Sequence, residues 1–183
     1  MNKFELHTPE SAPQAAKPLL EQSMKAFGMI PNLHAVMAES PQVLAAYQQL
    51  HALFMQSSFD KEELTVVWQT INVEHQCHYC VPAHTAIAHG MNIDEGIIAA
   101  LRDETPLPVE KLEILRQTTL LMLRNRGVIA QTDIEKFYAA GYRQKHLLDI
   151  VLGLSQKVMS NYINHLAKTP VDAPFQDFLW QKQ

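Results

Sequence analysis

Apolar residues recur at three- and four-residue spacing from end to end of the chain, and no segment alternates with the period of two that a half-buried strand requires. Ser40 followed by Pro41 reads as an N-cap with proline at the first helical position, and Val43, Leu44, Tyr47, Leu50, His51 and Phe54 form one face behind it. Asp60, with Glu63 three residues on, predicts a capping box in front of the stripe Leu64, Val67, Trp68 and Ile71. A helix holding a cysteine pair follows and is expected to end on Gly90. Ile93, Ile97, Ile98 and Leu101 mark the next helix, stopped by Thr105-Pro106-Leu107-Pro108. Leu112, Leu115, Thr119, Met122 and Leu123 mark a longer one that ends near Gly127. Thr132 and Glu135 suggest a second capping box, with Gly141 closing that short helix. The last long helix carries Leu147, Leu148, Val151, Leu154, Val158, Tyr162 and His165 before Thr169-Pro170. The N-terminal region is helical too, divided by Pro13, Pro18 and Pro31. The expected fold is an all-α, single-domain helical bundle over residues 1–183, with a core over 30–170 and a helical arm over 1–30.

With 183 residues, 47% of them hydrophobic, the chain can bury one sizeable core. A formal net charge of −4 argues against a nucleic-acid partner, which needs a basic face. The stretch Met1 to His7 has no apolar signal core, and no run is long enough to span a bilayer. The expected compartment is therefore the reducing cytoplasm, where an isolated CxxC is more often catalytic or metal-binding than a staple.

That pair is the chemistry-bearing feature. The segment Glu74-His75-Gln76-Cys77-His78-Tyr79-Cys80-Val81-Pro82-Ala83-His84 contains the only two cysteines of the chain. Pro82 is tolerated only in a first helical turn, which places the helix start between Gln76 and Cys80. On such a helix Cys77, Cys80 and His84 share one face at the positive end of the dipole, and dipole and imidazole both favour thiolate. Three readings follow. The thiols are a redox pair, in which one captures the oxidised other as a disulfide. Alternatively Cys77, Cys80 and His84 hold zinc with His75, His78 or His89 as fourth ligand, although no second cysteine pair exists to complete the usual site. Or the cysteines are small buried hydrophobes and His84 a satisfied core histidine.

The segment Cys77 to Thr85 resembles the CxxCxxxH signature of the carboxymuconolactone decarboxylase superfamily, in its alkyl hydroperoxidase D-like branch. The likeness extends to the preceding helix (Leu64 to Val73), to Ala86–Gly90, and to the downstream Ala139–Tyr142 and Leu147–Val151 segments, covering about residues 30–170. It implies a cofactor-free, metal-free peroxidase or disulfide reductase in which Cys80 attacks a hydroperoxide and Cys77 resolves the sulfenic acid. His84 would belong to the proton relay, an external dithiol would be the electron donor, and the chain would be a homo-oligomer. The family usually has a glutamate in the relay twelve residues before the first cysteine; Thr65 stands there here. Glu74 and Glu62 are the carboxylates that could take its place, Glu74 being the closer candidate and Glu62 a helix-start carboxylate that would ordinarily face water. The candidate catalytic residues are thus Cys80, Cys77, His84 and Glu74. A superfamily enzyme with non-redox decarboxylase or lactone chemistry, and a metal- or redox-switched binding module, are the rival functions. Tyr79 is expected to pack, His78 to face solvent, and Met24, Met29 and Met37 to fill core.

Overall fold

The computed structural model describes residues 4–182, and among these every regular element is helical. The elements run α1 (Lys17–Phe27), α2 (Asn32–Met37), α3 (Pro41–Met55), α4 (Lys61–Glu74), α5 (Cys80–Gly90), α6 (Glu95–Arg102), α7 (Glu110–Arg124), α8 (Gln131–Ala139) and α9 (Gln144–Ala167). Short 3-10 turns at Gln14–Ala16 and Ala173–Phe178 flank them. The first residues of the expected N-terminal arm, Met1 to Lys3, lie outside the described residues. None of the helices described is long and apolar enough to cross a membrane.

Helix α4 is the axle. Asp60 accepts from the backbone of Glu62 and Glu63 while Glu63 returns a bond to the Asp60 N–H, completing the predicted capping box. Every residue from Glu63 to Val73 is buried, so α4 is enclosed on all sides by α5, α6, α7 and α9. Trp68 anchors one core cluster with Phe54, Val67, Ile71, Leu115 and Phe137. A second cluster joins Ala16 and Leu20 from the N-terminal segment to Leu33, Tyr47, Cys77 and Cys80. Gly28 ends α1 in the left-handed region at φ 71°, its N–H bonded to the Met24 carbonyl, and so turns the chain back over the cysteines.

Three local expectations give way to the structure. Gly90 is the last helical residue of α5, and Met91 with left-handed Asn92 (φ 53°) makes the stop instead. Helix α8 starts at Gln131 behind Ala130, which puts Thr132 inside the first turn, where its hydroxyl cannot cap. The largest departure is α9. The apolar positions Leu148, Val151 and Tyr162 are 71%, 47% and 55% exposed, whereas Gln156, Lys157, Ser160, Asn161 and Asn164 are fully buried. This helix turns its polar face inward.

Candidate functional site

The turn between α4 and α5 places the first thiol. Gln76 adopts the left-handed φ of 52°, its N–H bonds to the Val73 carbonyl, and the N–H of Cys77 reaches back to the Asn72 carbonyl, 3.0 Å away. This is a Schellman stop with glutamine in place of glycine. Helix α5 then begins at Cys80, so Cys77 precedes the helix and its sulfur lies 3.3 Å from the Cys80 N–H, over the helix start. Pro82 occupies the first turn, as its missing N–H requires.

Behind the thiols a buried polar ladder locks three helices. Gln69 donates to the Val81 carbonyl and the Thr85 hydroxyl, Asn72 to Gln69 and the Cys80 carbonyl, and Asn161 to Asn72. The ring of His75 closes it on Asn161 Oδ1 at 2.8 Å. His78 is half-buried rather than solvent-facing, because its Nε2 bonds the Thr169 carbonyl at 3.0 Å. Tyr79 is more than packing: its hydroxyl donates to Asp172 and accepts from the Leu33 N–H. Asp172 also accepts from Asn32 N, so the C-terminal segment is pinned beside the cysteine turn. Of the three methionines expected in the core, Met37 is buried and Met24 is about half exposed.

Around Cys80 the polar face of α9 supplies the contacts. Asn164 Nδ2 donates to Cys80 Sγ at 3.2 Å, and Ser160 Oγ lies 3.7 Å from it. Lys157, with no exposed surface at all, places Nζ 2.9 Å from His84 Nε2. An ammonium only donates, so Nε2 accepts and the imidazole proton sits on Nδ1. His84 packs against Trp68, ring centroids 4.9 Å apart. Burial alone would raise the Cys80 thiol, but the Cys77 hydrogen bond, the Lys157 charge, Ser160 and Asn164 outweigh it and hold that thiol well below its ordinary value. Donation to Cys80, with burial and the Cys80 charge, pushes Cys77 up, so Cys77 remains a thiol. Burial, then Lys157 and His51, holds His84 well below the usual histidine range and therefore neutral at pH 7.

Cys80, His84 and Lys157 line one side of a cavity of about 680 Å³. Cys77 sits beneath Cys80, fully buried. The structure does not bring Glu74 to the thiols: Arg124 takes both its carboxylate oxygens at 2.7 Å, in a separate polar recess with Thr70 and Arg116. The Arg124 hydrogen bonds, against partial burial, keep Glu74 below the usual carboxylate range. Neither Glu62 nor Thr65 lines the cavity, and the Thr65 hydroxyl is spent on the Lys61 carbonyl at 2.8 Å. Among the described residues no three histidine, cysteine or carboxylate side chains converge to hold a metal. Lys157, Ser160 and Asn164 were not singled out from the sequence. Their signal was polar residues at three- and four-residue spacing in a helix otherwise rich in leucine, valine and isoleucine.

No family model matches the chain, and the curated proteins give no match to it. Solved structures do. An alkylhydroperoxidase AhpD core protein, peroxidase-related, from Ralstonia eutropha JMP134 is similar with a TM-score of 0.84 and 16% identity over 94% of this chain and 93% of that one. A peroxidase-related protein from Silicibacter sp. TM1040 gives 0.78 and 20% identity, covering 94% and 91%. The debrominase Bmp8, as a cysteine-to-alanine variant in complex with 2,3,4-tribromopyrrole, gives 0.75 and 15% identity, covering 97% and 96%. At these identities the likeness is one of architecture, and this chain has the all-helical fold of the AhpD-like proteins.

Proposed function

We propose that this protein is a thiol-dependent reductase of organic hydroperoxides. The observation that carries the reading is a sulfur, Cys80, at a helix start beside a second thiol and a fully buried lysine, opening on a cavity. The Cys80 thiolate attacks the terminal oxygen of R–O–OH; an S–O bond forms, the O–O bond breaks, and the leaving alkoxide takes a proton from Lys157. Cys77 then attacks the Cys80 sulfenic acid, forming the disulfide, and its proton leaves with the hydroxide as water. An external dithiol supplies two electrons and two protons. One proton returns to Cys77 and the other, passing through Cys80, restores the Lys157 ammonium. His84 holds Lys157 in place by accepting from it. Glu74 has no part in this scheme.

The test is a free-thiol count and intact mass before and after one equivalent of cumene hydroperoxide. The expected result is loss of both thiols with a mass decrease of two hydrogens. Cys77→Ser should oxidise once to a dimedone-trappable sulfenic acid, and Cys80→Ser should be inert. Full turnover by Cys80→Ser, or turnover indifferent to alkylation of both thiols, overturns the reading.

The cavity, far larger than a peroxide group needs, favours a second reading for which the debrominase is a precedent of fold. The same thiolate would take a halogen from an apolar haloarene, the arene carbanion collecting the Lys157 proton; Cys77 would then displace halide to form the disulfide, its own proton returning to the neutral Lys157 amine. Dithiol-dependent halide release, without hydroperoxide consumption, would favour it.

A further inference from the structure

We infer that the cavity beside Cys80 binds an uncharged organic molecule with a bulky apolar body, and refuses anions of the same size. This names the substrate class of the site above, and it rests on that reading only for calling the ligand a substrate.

Size and wall chemistry give the body. The cavity of about 680 Å³ falls within the range of small-molecule sites, and hydrogen peroxide would leave most of it empty. Phe27 at the end of α1 with Met29 just beyond it, Met55 from α3, Ile87 from α5 with Met91 just past its end, and Phe175 from the C-terminal turn make its walls. Phe27 and Met55 are about half exposed, which is the exposure of a rim awaiting an apolar occupant. Methionine walls adapt to irregular shapes, so the selection is for apolar bulk more than for one outline.

Charge decides the rest. Among the described residues lining the cavity, Lys157 is the one lysine or arginine and none is a carboxylate. Lys157 is already committed, through Nζ to His84 and through its charge to the Cys80 sulfur. An entering carboxylate would shed its water between apolar walls, meet the thiolate, and find no free cation. His34, His51 and His84 add no charge at neutral pH, since burial foremost holds each below its ordinary value.

The test is calorimetric titration of the reduced protein with cumyl alcohol, tert-butanol and phenylacetate, which need no turnover. Cumyl alcohol should bind at least tenfold more tightly than either of the others. In Cys80→Ser the counter-charge of Lys157 is gone, and phenylacetate should gain tenfold or more. Ala52→Trp, on an exposed wall position of α3, should weaken cumyl alcohol at least tenfold. Phenylacetate binding the reduced protein as tightly as cumyl alcohol, three affinities within threefold, or Ala52→Trp without effect would each overturn the inference. Thiols inert to hydroperoxide beside selective cumyl alcohol binding would sink the peroxidase reading and leave this one standing.

Discussion

Lowering the pH from 7.5 to 5 should destabilise the fold by several kcal/mol, before its carboxylates titrate. His34 and His51 are both held down to about 4, by burial first, with His51 acting on His34 and Lys157 on His51. The unfolded chain takes up these protons near pH 6.5 and the folded one only near 4, so between those values the unfolded state binds more protons and stability falls as pH falls. A group with these two values loses about 2 kcal/mol by pH 5, so the pair removes about 4 kcal/mol, and His84 acts in the same direction. That is a large share of the roughly 5–15 kcal/mol that holds a domain together. The lowered carboxylates, Glu10, Glu63, Glu74 and Glu113, lose their contribution only as pH falls below the ordinary glutamate value, which separates their window from this one. Urea denaturation at the two pH values is the assay. With a slope of about 2 kcal/mol per molar, the midpoint should drop by at least about 2 M, and His51→Gln should restore about 1 M of that drop. An unchanged midpoint with an unchanged slope would refute the reasoning, since it would mean these rings are protonated as easily in the folded state.

Two further expectations concern single side chains. Lys157→Met removes the charge that favours the Cys80 thiolate, so alkylation by iodoacetamide at pH 7 should slow about tenfold or more and recover above pH 9; a rate unchanged at pH 7 would show that Lys157 does not act on the thiol. Gly153→Ala places a Cβ 2.8 Å from Phe54 Cε2 and 3.0 Å from Val67 Cγ1, where α9 crosses α3 and α4. Overpacking of about 1–3 kcal/mol, partly offset by the gain of about 1 in helix propensity, should lower the melting temperature by a few degrees, and a rise would refute the close approach.

What the sequence makes legible here is what local chemistry decides. The Asp60–Glu63 box spans three residues and forms as read. Among the described residues the helical period survives in nine α-helices, and Pro82 restricts where α5 can start. Beyond the local caps at Gly90 and Thr132, the expectations about the site that failed depend on partners far along the chain. Glu74 is claimed by Arg124, fifty residues downstream, and no local pattern announces that pair. The stop before Cys77 uses a left-handed glutamine, so the glycine that usually betrays such a turn is absent. In α9 the rule that apolar faces point inward points the wrong way: the helix buries Gln156, Lys157, Ser160, Asn161 and Asn164 and leaves Leu148 and Leu166 outside. A helix that spends its buried face on polar groups is supporting a site at the expense of packing, which is where local rules are expected to fail.

The reason for a lysine at that position follows from charge counting. A buried ammonium far from any counter-charge would cost several kcal/mol, and so would a buried thiolate. Within one site, where the Lys157 charge acts on the Cys80 thiol, the two sum to zero. In the proposed cycle, attack on the hydroperoxide turns the thiolate into a neutral sulfenic acid in the same event that moves the Lys157 proton onto the alkoxide. Sulfur and amine are then both neutral, and they remain so in the disulfide. Reduction returns a proton to Lys157 as it returns the negative charge to Cys80. The cavity floor is therefore neutral in every state, which a low-dielectric site requires if no step is to strand a charge. A glutamate relay in place of Lys157 would carry negative charge beside the thiolate in the resting state. With Thr65 where the family it resembles carries a glutamate, and with Lys157 against His84, the proposed cycle would reach its proton balance from the cationic side.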